Sequence, residues 1–98
     1  MQYRQLGRTG LKVSALSLGG VALGDMYGKL GPGEAAACVT RAIELGINFI
    51  DTSPYYGASR SESVLGEILE AGGFRQKILL CSKAGRNGLA DFDFTPAA

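Results

Sequence analysis

Histidine is absent from the chain, and cysteine occurs only twice, as Cys38 and Cys81. These two facts exclude the common zinc sites and any Ser-His or Cys-His catalytic pair made within this chain, so no metal site is expected. Two cysteines at this separation form neither a disulfide framework nor a metal spacing, and both are expected to be reduced and buried. No block of like charge is present, and the formal net charge is +1, so no nucleic-acid or anionic-membrane footprint is visible. No apolar run approaches the roughly 18 residues of a membrane span. The polar start "MQYRQLGRTG" does not read as a signal peptide. A cytoplasmic location is the plain expectation.

What is present is a globular composition, 46% hydrophobic and 19% charged, rich in glycine that falls mostly between elements. Residues 2–14 read as two short extended pieces around "GRTG", a β-hairpin. "ALSLGG" (15–20) reads as a buried strand and residues 21–33 as a glycine-punctuated loop. From Glu34 to Leu45, Ala35, Val39, Ala42 and Ile43 recur at helical spacing, and Gly46 supplies a left-handed cap. "INFID" (47–51) is too short for a helix and reads as a strand. Ser59 and Glu62 have capping-box spacing ahead of a second helix, whose apolar face is Val64, Leu65, Ile68 and Leu69 and whose stop is Gly72-Gly73. "KILLCSK" (77–83) is a third apolar run, and residues 84–98 read as loop.

Alternating strands and helices imply parallel strands with right-handed crossovers, hence an α/β fold. The strands are apolar throughout, as strands covered on both faces should be. Three strands cannot close a barrel, so the 98 residues look like the first third of something larger.

In parallel α/β folds, chemistry collects at the C-terminal ends of the strands. Asp51 ends the second strand, Tyr56 lies in the loop after it, and Lys83 ends the third. A tyrosine phenol ordinarily has a pKa of about 10, and a neighbouring ammonium favours its ionised form. A carboxylate beside the lysine keeps that ammonium charged and oriented. Such a tyrosine can exchange a proton with an oxygen on a reacting carbon, which hydride transfer to or from a carbonyl requires. Each residue also has an ordinary reading: Asp51 as a loop cap, "PYYG" as a turn, Lys83 as a solvated cation.

The stretch "GINFIDTSPYYGASRSESVLG" (46–66) resembles the aldo-keto reductase signature: a strand ending in Asp-Thr, then Tyr-Gly, then Ser-Glu opening a helix. "YRQLGRTGLKVSALSLGGVALG" is similar to that family's opening hairpin and first strand, and "KILLCSKAG" to its third strand. The resemblance implies that residues 1–98 are the N-terminal part of a (β/α)₈ barrel domain, with three parallel strands, two helices and an N-terminal hairpin. It implies a catalytic aspartate at Asp51, a proton-donating tyrosine at Tyr56 and an activating lysine at Lys83. It further implies that Gly19, Gly20, Val21 and Asp51 approach the nicotinamide end of NADP or NAD. The motif sets its tyrosine directly before glycine, which selects Tyr56 and leaves Tyr55 to line the mouth or pack against the loop.

A small carbonyl or sugar is the implied substrate, with the "DTSPYYG" and "LGGVALG" forms most like the aldose 1-dehydrogenase and L-galactose dehydrogenase branch. The family's histidine and dinucleotide-clamping loops lie outside these residues, so the isolated chain is expected to be inactive and to self-associate through open sheet edges. The alternative is a non-catalytic scaffold or assembly module derived from the same fold.

Overall fold

The computed structural model describes residues 1–96 apart from 27 and 89. The chain opens with a two-stranded antiparallel hairpin, β1 (Tyr3–Gln5) and β2 (Lys12–Ser14), in the register Tyr3↔Ser14, Arg4↔Val13 and Gln5↔Lys12. Thr9 organises its turn, its hydroxyl donating to the Leu6 carbonyl at 2.6 Å and accepting from the Leu11 N–H at 3.1 Å.

Three parallel strands follow: β3 (Leu18–Gly19), β4 (Phe49–Asp51) and β5 (Leu79–Cys81), adjacent in that order. Two crossover helices, α1 (Pro32–Glu44) and α2 (Arg60–Gly72), connect them. The architecture is therefore α/β, with a sheet of three strands that does not close on itself among the described residues. No helix among those residues is long and apolar enough to cross a membrane.

The helices form where apolar residues repeat at three and four positions. Ala35, Val39 and Ala42 of α1 and Leu65 and Leu69 of α2 are buried, and all of these but Ala42 join Ile50 of the sheet in one core cluster. Burying each larger aliphatic side chain contributes about 1.5–3 kcal/mol. Both helices end alike: Gly46 (φ 95°) and Gly73 (φ 66°) take the left-handed conformation. The next residues, Ile47 and Phe74, donate back to the carbonyls of Ala42 (3.0 Å) and Leu69 (2.9 Å).

Three sequence expectations need correction. Ser59 stands at the N-cap of α2, but it is left-handed (φ 71°) and its side chain caps nothing. Glu62 instead accepts a hydrogen bond from the Ser82 hydroxyl at 2.7 Å, so the Ser59–Glu62 spacing is not a capping box. The second correction concerns the cysteines: Cys38 is exposed and Cys81 half-buried, so neither is a core residue. On α1, Ala35, Val39 and Ala42 are buried while Cys38 between them in sequence is exposed.

The strands, third, are not covered on both faces. Leu18, Ile50 and Leu80 share a register row and hence a face, the one the helices cover. Ile50 is sealed there, whereas Leu80 at the edge is 41% exposed. Phe49 and Leu79, on the opposite face, are only half-buried. Leu80, Leu65 and Leu69 line a groove of about 540 Å³ between α2 and β5.

The two ends of the sheet differ. At the N-terminal end, Asn48 joins β4 to the hairpin. Its Oδ1 accepts from the Ser14 N–H (2.7 Å), its own N–H donates to Ser14 Oγ (3.1 Å), and its amide nitrogen donates to the Lys12 carbonyl (3.0 Å). The C-terminal ends form the other rim, where Gly19, Asp51 and Cys81 stand side by side in register.

Candidate active site

Asp51 is the last residue of β4, and Lys83 lies two residues beyond the end of β5. Because these strands are parallel neighbours, both side chains reach the same rim. The Lys83 ammonium donates to Asp51 Oδ1 at 2.8 Å and to the Thr52 carbonyl at 2.9 Å. It also stands over the Tyr56 ring, 4.9 Å from the centroid. The structure thus brings together all three of the ionisable residues singled out in the sequence.

The Lys83–Asp51 pair is solvated, with 46% and 36% of the two side chains exposed, so it orients the ammonium more than it stabilises the fold. Burial on its own lowers the lysine's pKa. The hydrogen bond to Asp51, the Tyr56 phenol and the Asp51 charge outweigh it and raise the pKa above the ordinary lysine value. The site therefore holds a fixed cation against an aromatic phenol at neutral pH.

Tyr56 sits in a tight loop between β4 and α2. Its N–H donates to the Ser53 carbonyl (3.1 Å) and its carbonyl accepts from the Ser61 N–H (3.1 Å). Gly57, Ala58 and Ser59 are successively left-handed, with φ of 70°, 52° and 71°. For Ala58 and Ser59 this stores backbone strain of about 1–3 kcal/mol each. The loop is braced against the chain that follows β3: a Cβ on Gly24 would collide with the Tyr56 carbonyl, and one on Gly57 with the Gly24 carbonyl. Only two glycines let these backbones touch.

Beneath the rim lies a buried hydroxyl network that the sequence did not announce. The Gly20 N–H donates to the Asp51 carbonyl at 2.6 Å, and the Ser61 hydroxyl donates to the Gly20 carbonyl at 2.6 Å. Thr52 Oγ1 and Ser61 Oγ are 2.6 Å apart. Since the Ser61 proton is committed to Gly20, Thr52 is the donor in that last bond. A second unannounced contact is Arg60 Nε to Asp25 Oδ2 at 2.7 Å; Asp25 Oδ1 also accepts from the Leu30 N–H at 2.9 Å. The Leu30 hydrogen bond outweighs the effect of burial and, with Arg60, lowers the Asp25 pKa below its ordinary value.

The sequence profile of the aldo/keto reductase family matches residues 15–97. The chain belongs to the aldo/keto reductase family. It is 45% identical over 96 residues to the L-galactose dehydrogenase of Arabidopsis thaliana, covering 97% of this chain and 30% of that protein. Among solved structures, a Pseudomonas aeruginosa protein assigned to the aldo-keto reductases superposes with a TM-score of 0.84 at 45% identity. That match covers 97% of this chain and 36% of the other. An aldo-keto reductase from Bacillus halodurans superposes at 0.77 with 32% identity, over 98% of this chain and 31% of its own. The chain thus spans about a third of the length of these relatives.

Among the positions that the resemblance expects near a nicotinamide, the structure separates two kinds. Gly19 is exposed, next to Asp51, and nothing lies within 4 Å of where its Cβ would be. That open backbone fits the approach of a flat ring. Gly20 is buried, and a Cβ there would stand 2.6 Å from the Asp51 carbonyl, so its smallness serves the packing of β3 on β4. Val21, half-buried, begins a short 3-10 turn (Val21–Gly24) beside them.

Tyr55 was expected to line the mouth or pack against the loop. The structure sets its ring against the Arg86 guanidinium, whose central carbon is 3.8 Å from the ring centroid. The Asp25–Arg60 and Tyr55–Arg86 contacts join residues 31 or more positions apart, so no local pattern announces them.

Proposed function

We propose that this chain supplies the proton-transfer side of an NAD(P)-dependent site that oxidises the anomeric carbon of an aldose to a lactone. The observation that carries the reading is the Lys83 ammonium, bound to Asp51 and standing over the Tyr56 ring. In this reading Asp51, Tyr56 and Lys83 are the catalytic residues, and Gly19, Gly20, Val21 and Asp51 hold the nicotinamide end of NADP or NAD. The bound dinucleotide supplies the hydride acceptor. Tyr56, as its phenolate or through Lys83, takes the hydroxyl proton as the carbonyl forms, and Asp51 keeps Lys83 charged and aimed. In the reverse direction Tyr56 returns that proton to the carbonyl oxygen. The sugar preference is supported by the likeness to the Arabidopsis L-galactose dehydrogenase.

The 98 residues form, in this reading, the opening arc of a longer barrel domain, working in the cytoplasm and inactive alone. The test is to offer the full-length protein carrying this sequence a panel of aldoses with NAD⁺ and NADP⁺, following dinucleotide reduction and identifying the product by mass. Saturable turnover to a lactone is expected, with none from the isolated 98 residues. Turnover of other carbonyls but no aldose would discard the substrate class, and no dinucleotide turnover at all would discard the activity.

A second reading is a non-catalytic assembly module. The unpaired β5 edge and the groove of about 540 Å³ beside it favour self-association of the isolated chain. The intact mass of the native product checks this reading: about 10 kDa supports a genuine short module, and about three times that rejects it.

A further inference from the structure

The loop after β5 carries two cations three positions apart, and they meet two consecutive tyrosines of the loop after β4. Lys83 stands over Tyr56 at 4.9 Å, and Arg86 over Tyr55 at 3.8 Å. We infer that Tyr55 and Arg86 form a positioning clamp, joining the two rim loops so that the Tyr56 ring stays against the Lys83 ammonium. The inference rests on the catalytic reading only for what the clamp serves; the clamp itself is a statement of geometry.

Three observations support a built clamp over a chance surface contact. First, Arg86 is itself braced. The residues after it turn back so that Arg86 pairs with Phe92 in an antiparallel bridge, Asn87 N–H donates to the Asp91 carbonyl (2.8 Å), and Asp93 N–H donates to the Gly85 carbonyl (2.7 Å). The Arg86 guanidinium also lies 5.3 Å from the Phe92 ring centroid, and its Nε donates to the Gly88 carbonyl at 3.3 Å.

Second, the short connection from Lys83 to Arg86 is fixed in shape. Gly85 is buried with φ of 102°, a conformation that residues with a side chain rarely adopt. Third, the β4 loop is held on its other side by the Gly24–Gly57 backbone contact and the Asp25–Arg60 pair, both facing β3. The Tyr55 stack supplies the matching hold toward β5. A planar guanidinium suits that task because it lies flat on a ring and keeps its charge at any working pH.

The experiment uses the full-length protein carrying this sequence, with carbon-13 labelled tyrosine rings, the Tyr56 signal being assigned with Tyr56→Phe. Tyr55→Phe keeps the stacked ring and is expected to leave the Tyr56 ring signals where they are. Tyr55→Leu and Arg86→Ala are each expected to move those signals. They should also speed hydrogen exchange at the Tyr56 amide about two- to five-fold, as loss of a half-exposed cation–π contact implies. The double variant should add little to either single one. Unmoved Tyr56 signals in both single variants, or fully additive effects in the double, would overturn the clamp. If Tyr55→Leu does not fold, Arg86→Ala decides alone, since Arg86 is in a rim loop outside the hydrophobic core. Because these readouts need no turnover, a clamp without catalysis and catalysis without a clamp give different results.

Discussion

The two ends of the same three strands are built on opposite terms. At the N-terminal end, Asn48 spends its side chain on the backbone of β2 and Ser14, closing the sheet with neutral hydrogen bonds. The C-terminal end has its neutral bonds below the surface, in Thr52, Ser61 and Gly20, and leaves its charges on top, in Asp51 and Lys83. It also carries the strained run Gly57–Ala58–Ser59, which has no counterpart at the hairpin end of the sheet. One end is tied by neutral hydrogen bonds, and the other holds an exposed ion pair beside a strained loop.

The sharpest way to break this comparison is Lys83→Met in the full-length protein. The account expects kcat to fall by about 10²–10⁴-fold. The denaturation midpoint of the same protein should hardly change, because the pair with Asp51 is solvated. A loss of stability without loss of turnover would make Lys83 a structural residue like Asn48.

Ser61→Ala should show the next largest effect, and at the same end of the sheet. It strips the Gly20 carbonyl and the Thr52 hydroxyl of a fully buried partner, costing about 1–3 kcal/mol in denaturant unfolding. It should also perturb Asp51, whose carbonyl the Gly20 N–H holds. Asn48→Ala is the companion at the other end. The expected cost is about 0.5–1.5 kcal/mol per bond lost, with nuclear resonances of Tyr56 and Lys83 unchanged. Equal perturbation of the rim by both variants would erase the distinction between the ends.

The smallest expected effect is a pH dependence. Asp25 has a pKa below its ordinary value of 3.8 when folded, so its contribution is present above 3.8 and is lost as pH falls through the lower folded value. Hydrogen exchange at the Leu30 amide, corrected for intrinsic rate, should lose protection in that acid range. Asp25→Asn should remove the dependence while the hairpin amides of residues 3–14 remain as they were.

Much of this arrangement was legible in the residues. The order of elements follows from two helical periods and three apolar runs, and the glycine stops at 46 and 73 fall where the caps are. Asp51, Tyr56 and Lys83 were legible as a set because parallel strands carry their C-terminal residues to one rim. What was hidden is long-range or conformational. Ser59 has the residue type of a cap, but the left-handed run it ends turns its side chain away from that task. Cys38 lies three residues from Ala35 and four from Ala42, on the apolar stripe, yet only what packs against a stripe decides its burial. The contacts of Arg60 with Asp25 and of Arg86 with Tyr55 carry no local signal, because the partners lie in other loops.

The central claim is that Tyr56 exchanges the proton and that the fold holds it against Lys83 for that purpose. Tyr56→Phe in the full-length protein tests it most directly, since it removes the phenol oxygen and little volume. With kcat and dinucleotide affinity measured side by side, the account predicts kcat reduced at least about 10²-fold and affinity nearly unchanged. A loss in kcat of less than about tenfold would contradict it, because a positioned acid contributes more than that.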